Sequence, residues 1–235
     1  MNENCWYYIE PNDDLQMGGC CKNKSEEWCD EYCPIYKSMK SCFEKSGLEP
    51  TFWYPFNLKM VEKDKNVVSQ IIQIRDSLND FVKEGKNLLL QSAKCGNGKT
   101  SWGIKLLQKQ IEINSLKCAY GISPAFFVFV PSLLLEARRN ISSNSSEFNW
   151  MEHMIENCPL VMFDEIGGTP LKDYDLLLLT HFIEKRISKN LSTIYTTNCE
   201  DGVLKVNLGD RLFDRINRLS LVLTFNGNSM RGING

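Results

Sequence analysis

The sequence is poor in histidine, carries no surplus of positive charge and has no long apolar run. Each absence narrows what the chain can be. His153 and His181 are the only histidines in 235 residues. They stand far apart on helical stretches and read as structural. Lys and Arg number 27 against 29 Asp and Glu, a net charge of −2. That balance excludes a globally basic protein that coats nucleic acid. A bilayer-spanning helix needs roughly 18 apolar residues, and the longest apolar runs, near residues 125–130 and 176–179, are far shorter. No membrane partner is expected. The start, Met-Asn-Glu-Asn-Cys-Trp, has neither the basic nor the apolar segment of a secretory signal. The expectation is therefore a cytoplasmic protein. No internal repeat is visible. Hydrophobic residues at 43% and charged residues at 24% exclude wholesale disorder.

What is present is unevenly distributed. Six of the ten cysteines lie within the first 42 residues: Cys5, Cys20, Cys21, Cys29, Cys33 and Cys42. Residues 1–60 are acidic, with a net charge of −4, whereas the remainder is slightly basic. These shifts predict a small module over 1–50, a connector over 51–64 and a larger domain over 65–235. The connector region holds Pro50 and Pro55, which oppose a regular helix. It also holds Phe52, Trp53, Tyr54 and Phe56, which favour packing onto a domain over a free linker. Residues 140–149, Asn-Ile-Ser-Ser-Asn-Ser-Ser-Glu-Phe-Asn, read as a polar, mobile loop. From residue 65 onward, strand and helix signals alternate. Helical periodicity covers 67–82, 101–113, 131–140 and 173–188. Short apolar strands are predicted at 87–91, 125–130, 160–163, 192–197 and 221–225. That alternation predicts an α/β fold with a five-stranded parallel sheet covered on both faces.

The first strand runs into Ser92-Ala-Lys-Cys-Gly-Asn-Gly-Lys-Thr100, followed by a helix. This is nearly the G-x-x-x-x-G-K-[ST] phosphate loop, with Ala93 in place of its first glycine. The chemistry explains the residue types. Gly96 and Gly98 let backbone N–H groups turn inward around phosphate oxygens. The helix N-terminus favours an anion. Lys99 reaches the β- and γ-phosphates, and the Thr100 hydroxyl can ligate Mg2+. Residues Lys94, Cys95, Gly96, Asn97, Gly98, Lys99, Thr100 and Ser101 are thus the expected ATP-binding loop.

The segment Leu160-Val-Met-Phe-Asp-Glu165 reads as a buried strand that ends in two acids at the edge where open α/β sheets bind ligands. Asp164 is placed to hold Mg2+. Glu165 is placed to act as the base that polarises an attacking water.

With both motifs in hand, the order of features resembles the AAA+ P-loop NTPases, and more narrowly the bacterial and phage helicase loaders of the DnaC/DnaI type. Residues 94–100 resemble Walker A, and Val161-Met-Phe-Asp-Glu-Ile-Gly resembles Walker B. Thr196-Thr-Asn198 resembles the sensor 1 motif. The run Leu208-Gly-Asp-Arg-Leu-Phe-Asp-Arg215-Ile, followed by Thr224-Phe-Asn-Gly-Asn-Ser-Met-Arg231, resembles the family's last segment. The resemblance spans roughly residues 65–232. It implies that Asn198 senses the γ-phosphate and that Arg215 is an arginine finger acting on a neighbouring subunit's ATP, with Arg211 its rival. It also implies that Arg231 is a second sensor acting on its own nucleotide. The chain ends soon after Arg231, and no further helical lid is expected. ATP-dependent homo-oligomers follow from a trans-acting arginine.

The cysteine cluster Cys20-Cys21-x7-Cys29-x3-Cys33-x8-Cys42 has metal-ligand character, since cytosolic thiols stay reduced. A four-thiolate Zn2+ site on Cys21, Cys29, Cys33 and Cys42 is expected, with Cys20 the rival of Cys21. An iron–sulfur cluster is the lesser alternative. The resemblance implies a docking module for a hexameric replicative helicase of the DnaB type, and contact with single-stranded DNA. Two other readings stand beside it. One is a DNA-coating transposase helper of the IstB type. The other is an ATP-switched protein that sequesters a host helicase or loader.

Overall fold

Alternation along the strands explains why both faces of the sheet are covered. Leu88 and Leu90 bury one way and Leu89 the other, all at 0% exposure. The computed structural model describes residues 34–54, 56–58, 61–117, 121–143 and 145–227. Five strands are found there: β1 (Asn87–Gln91), β2 (Ala125–Phe129), β3 (Leu160–Asp164), β4 (Ser192–Thr197) and β5 (Ser220–Thr224). They form one parallel sheet in the order β2-β3-β4-β1-β5. The expected α/β fold and strand count are therefore observed.

Helices α1 (Pro34–Glu44), α2 (Lys65–Asp76), α3 (Leu78–Lys83) and α4 (Lys99–Asn114) cover one face. Helices α5 (Val130–Ser143), α6 (Ser146–Asn157), α7 (Asp173–Ser188) and α8 (Asp201–Leu219) cover the other. Among the described residues no helix is long and apolar enough to cross a membrane. Helix α4 lies close on β3 because Gly103 faces Met162: a Cβ there would stand 2.6 Å from the Met162 thioether. That close approach sets the height of α4 against the end of β3.

Three local expectations need revision. The helical period over 67–82 is broken at Ser77, whose hydroxyl donates to the Gln73 carbonyl (3.0 Å), so α2 and α3 are separate. The stretch 140–149 is not a loop throughout. Ser145 caps α6 by accepting from the Phe148 amide at 3.3 Å, and Phe148 is buried. The cap and the apolar spacing Phe148, Met154, Ile155 outweigh the polar composition. The packing of the larger domain also begins well before residue 65. Met39, Cys42, Phe43 and Leu48 share one core with Ile71, Leu88 and Leu107. The Ser46 carbonyl accepts from the Phe127 amide of β2 at 2.7 Å, and Gly47 (φ 71°) passes so near β2 that a Cβ would stand 2.5 Å from the Phe127 carbonyl oxygen.

In the connecting segment Phe52, Trp53 and Phe56 pack against the core, whereas Tyr54 is exposed. Phe43 stacks on Trp53 at 6.3 Å, and the Trp53 indole donates to the Leu48 carbonyl at 2.8 Å. Two buried polar residues of α4 hold the chain above them. The Gln108 amide donates to the carbonyls of Phe52 (2.6 Å) and Tyr54 (3.0 Å), and the Lys105 ammonium donates to that of Phe56.

At the opposite end of the sheet, Arg186 of α7 is completely buried. Its guanidinium donates to the Ile155 (2.6 Å) and Cys158 (3.0 Å) carbonyls, the Ser192 carbonyl and the Thr193 hydroxyl (3.0 Å). Burial lowers its pKa to about 10, which leaves it charged at neutral pH. It ties α6, α7 and the start of β4 together. Arg186→Ala is expected to lower the unfolding free energy by about 3 kcal/mol, because it strands buried carbonyls and leaves a cavity. Urea denaturation followed by circular dichroism checks this.

Candidate functional site

The C-terminal ends of β1, β3 and β4 converge because parallel pairing sets them in register. Leu90 lies opposite Thr196, Gln91 opposite Thr197, and Phe163 opposite Tyr195. The loop leaving β1 therefore sits beside the acids leaving β3.

The loop is shaped by its glycines and braced by its polar side chains. Gly96 (φ 79°) and Gly98 (φ 94°) take left-handed conformations that side chains disfavour, and Gly98 caps α4. Ala93 needs no such conformation, since Glu165 and Asn190 are the non-glycine residues with positive φ among those described. The departure from the glycine pattern is thus accommodated. Asn97 is buried; its amide donates to the Ser92 hydroxyl at 2.6 Å and its carbonyl accepts from the Lys99 ammonium at 2.9 Å. Lys99 also donates to the Lys94 carbonyl at 3.0 Å. The Lys99 ammonium is held within the loop, where an anion entering at the α4 N-terminus would meet it. Cys95 is exposed at the crest of the loop.

Asp164 is the junction. Its Oδ1 accepts from the Thr100 hydroxyl at 2.8 Å and from the Thr196 hydroxyl at 2.5 Å. Burial raises its pKa, and the bonds from Thr196 and Thr100 and the charge of Lys99 pull it only partly back. The Thr100 proton is spent on Asp164, which leaves its lone pairs for a cation. Thr100 and Asp164 together therefore fit the oxygen donors that Mg2+ prefers. Glu165 follows with φ 60°, a left-handed backbone for a non-glycine residue, and its amide donates to the Thr196 hydroxyl at 3.1 Å. Asn198 lies just past β4 at the same end of the sheet and is half-buried.

Thus Lys99, Thr100, Asp164, Glu165 and Asn198 are gathered at one edge. Arg215 is not among them. It sits in the second part of α8, beyond a kink at Gly209, whose backbone (φ 72°, ψ 158°) is not helical. There Arg211 (2.7 Å) and Arg215 (3.0 Å) share the Glu184 carboxylate of α7, and Arg218 pairs with Asp214. Arg231 lies outside the described residues, as do Cys20, Cys21, Cys29 and Cys33. Of the expected zinc ligands Cys42 alone is described: it is buried beside the core residues of α1, with its sulfur 4.0 Å from the Ser115 carbonyl. Among the described residues no group of three or more His, Cys, Asp or Glu could hold a metal. Ser92 and Thr196 were not singled out as site residues by the sequence. Thr196 stands inside the Thr-Thr-Asn motif, and that position is the signal that could have found it.

A model of the family described as IstB-like ATP binding protein matches residues 57–234. A replicative helicase loader DnaC from Buchnera aphidicola subsp. Baizongia pistaciae is 34% identical over 111 residues. That match takes in 43% of this chain and 45% of the relative, so the chain spans less than half the length of the curated relative. Among solved structures, the DnaC helicase loader has a TM-score of 0.58 at 21% identity, covering 79% of this chain and 99% of that one. DnaI has a TM-score of 0.59 at 19% identity, covering 76% and 95%. These likenesses establish the AAA+ type of P-loop fold.

The buried Asp164 generates a pH-dependent stability. A carboxyl whose folded pKa is raised contributes stability below its unfolded value, near 3.8, and loses it as pH rises through the folded value. Keeping Asp164 ionised therefore costs stability at neutral pH. Without nucleotide, Asp164→Asn is expected to melt at a higher temperature than the wild type at about pH 7.5, the gap closing as pH falls toward 4. Thermal melts across that range check the sign.

Proposed function

The chain belongs to the family of IstB-like ATP binding proteins, and from that premise we propose that it hydrolyses ATP between subunits to load a hexameric replicative helicase onto DNA. The observation that carries the proposal is the joining of Thr100 to Asp164 beside Lys99 and Glu165 at the end of a parallel sheet. The name of the curated relative, and the extent of the fold shared with the DnaC and DnaI structures, favour the loader among ATPases of this family.

In this reading the loop amides around Gly96 and Gly98 hold the phosphates, and Lys99 leaves the Lys94 carbonyl and Asn97 for the β- and γ-phosphates. Mg2+, when bound, neutralises charge on the phosphate oxygens, and Thr100 and Asp164 would hold it. Glu165 accepts a proton from the attacking water, and Asn198 orients the γ-phosphate. Arg215 is paired with Glu184 of α7 and not with its own phosphate loop, which favours action on a neighbouring copy. Its pairing with Glu184 would keep it parked until that copy arrives. Arg231 would act on the chain's own nucleotide.

The N-terminal cysteines are proposed to hold Zn2+ in a helicase-docking module. The proposed ligands are Cys21, Cys29, Cys33 and Cys42, with Cys20 the rival of Cys21. Single-stranded DNA is the proposed nucleic-acid partner, and the cytoplasm the proposed location.

The family match itself favours a second reading, the DNA-coating transposase helper. Native mass spectrometry of the full chain with the cognate hexameric helicase separates the two. The loader reading expects several copies per hexamer in an ATP-dependent complex, which Glu165→Gln retains while its hydrolysis falls by about 10²-fold or more. Absence of a complex at micromolar concentration, together with filaments whose length follows that of added DNA, establishes the helper instead.

A further inference from the structure

We infer that Thr196 is a positioning residue for both carboxylates of the site, a role that rests on the ATPase reading above. Its side chain is buried at the end of β4, with 1% of its surface exposed. One hydroxyl performs two tasks. Its proton goes to Asp164 Oδ1 at 2.5 Å, and its lone pair receives the Glu165 amide at 3.1 Å. The main-chain carbonyl of the same residue accepts from the Ile166 amide at 2.9 Å. Three consecutive residues, the last of β3 and the two after it, are thus fastened to one residue of β4.

The fastening matters because of what it holds. Glu165 has a left-handed backbone, which costs a side-chain-bearing residue about 1 kcal/mol or more unless its surroundings compensate. The bond from the Glu165 amide to Thr196 is a specific compensation, made within the turn that aims the Glu165 side chain. Asp164 is a buried carboxylate with two hydroxyl donors on one oxygen, Thr100 and Thr196. Thr100 belongs to the phosphate loop and adjusts as a nucleotide enters. Thr196 belongs to the sheet and stays. It is the fixed reference against which Asp164 keeps its orientation. Because Asn198 lies two residues further on, the same strand end positions the candidate sensor and both acids. A shift of that strand end is carried to Glu165 through the Thr196 hydroxyl.

The experiment compares Thr196→Val, which keeps the shape and removes the hydroxyl, with Thr196→Ser, which keeps the hydroxyl. Steady-state ATP hydrolysis, binding of a fluorescent ATP analogue and amide hydrogen exchange are measured on the full chain. Thr196→Val is expected to lower kcat by about 10-fold or more while the analogue's Kd stays within about threefold, the pattern of a group needed for the reaction more than for binding. Exchange at the Glu165 amide is expected to rise, with the neighbouring Ile166 amide serving as the internal control. Thr196→Ser is expected to restore both readouts. Should Thr196→Val not fold, Thr196→Cys, which has a weaker donor of similar size, takes its place with the same expectation.

A kcat within twofold of wild type in Thr196→Val, with unchanged exchange at Glu165, overturns the inference. So does a Thr196→Ser variant as impaired as Thr196→Val, since that assigns the effect to the methyl group. Wild-type protein that hydrolyses ATP only as fast as Glu165→Gln overturns the ATPase reading itself, which separates that failure from a failure of Thr196.

Discussion

The site depends on keeping one ionisable group in a place that disfavours its charge. Asp164 ends β3, a strand buried along its whole length, and burial pushes its pKa upward. Two hydroxyls and the nearby Lys99 offset that cost only in part. The hydroxyls come from different elements, Thr100 at the start of α4 and Thr196 at the end of β4. A carboxylate that needs both can be satisfied only when helix and strands stand at the right heights. Gly103, by letting α4 settle onto Met162, is part of that adjustment. The glycines of the phosphate loop and the left-handed Glu165 then follow from geometry already imposed.

Helix α4 links this junction to the N-terminal part of the chain. Its first residues, Lys99 and Thr100, face the site, whereas Lys105 and Gln108, two turns on, hold the carbonyls of residues 52–56. One rigid helix therefore touches both the phosphate loop and the segment leading to the cysteine-rich start. On the other face of the sheet, α8 starts just past β4, bends at Gly209 and ends at the start of β5. It carries Arg211 and Arg215 to where Glu184 of α7 meets them.

Much of this was legible in the sequence, for identifiable reasons. The strands at 87–91 and 192–197 were read to the residue, the first because three leucines are bounded by Asn87 and Gln91, the second because Thr, Ile and Tyr favour extended backbone. The loop residues and the two acids were read together because the chemistry fixes their types. What failed to show was decided by single polar groups or by distant contacts. The Ser145 cap turned the end of a polar stretch into helix, and α5 runs through its first four residues. The core recruited Met39, Cys42 and Phe43, so an acidic, cysteine-rich composition marked the module's edge too late in the chain. Thr196 was hidden because nothing in a Thr-Thr-Asn triplet tells which hydroxyl faces the neighbouring strand; only the register with β3 does.

The contact between Ser46 and Phe127 has a consequence for life in a crowded solution. β2 is an outer strand of the sheet, and such strands offer unpaired amides and carbonyls as a template for foreign strands. The Ser46 carbonyl takes one of those amides, and Gly47 lets the backbone lie against the strand. The turn after α1 thereby acts as a guard rail. It keeps an apolar, β-prone run, Ala-Phe-Phe-Val-Phe, from recruiting a like run on another chain, and so turns a short loop into a device for solubility.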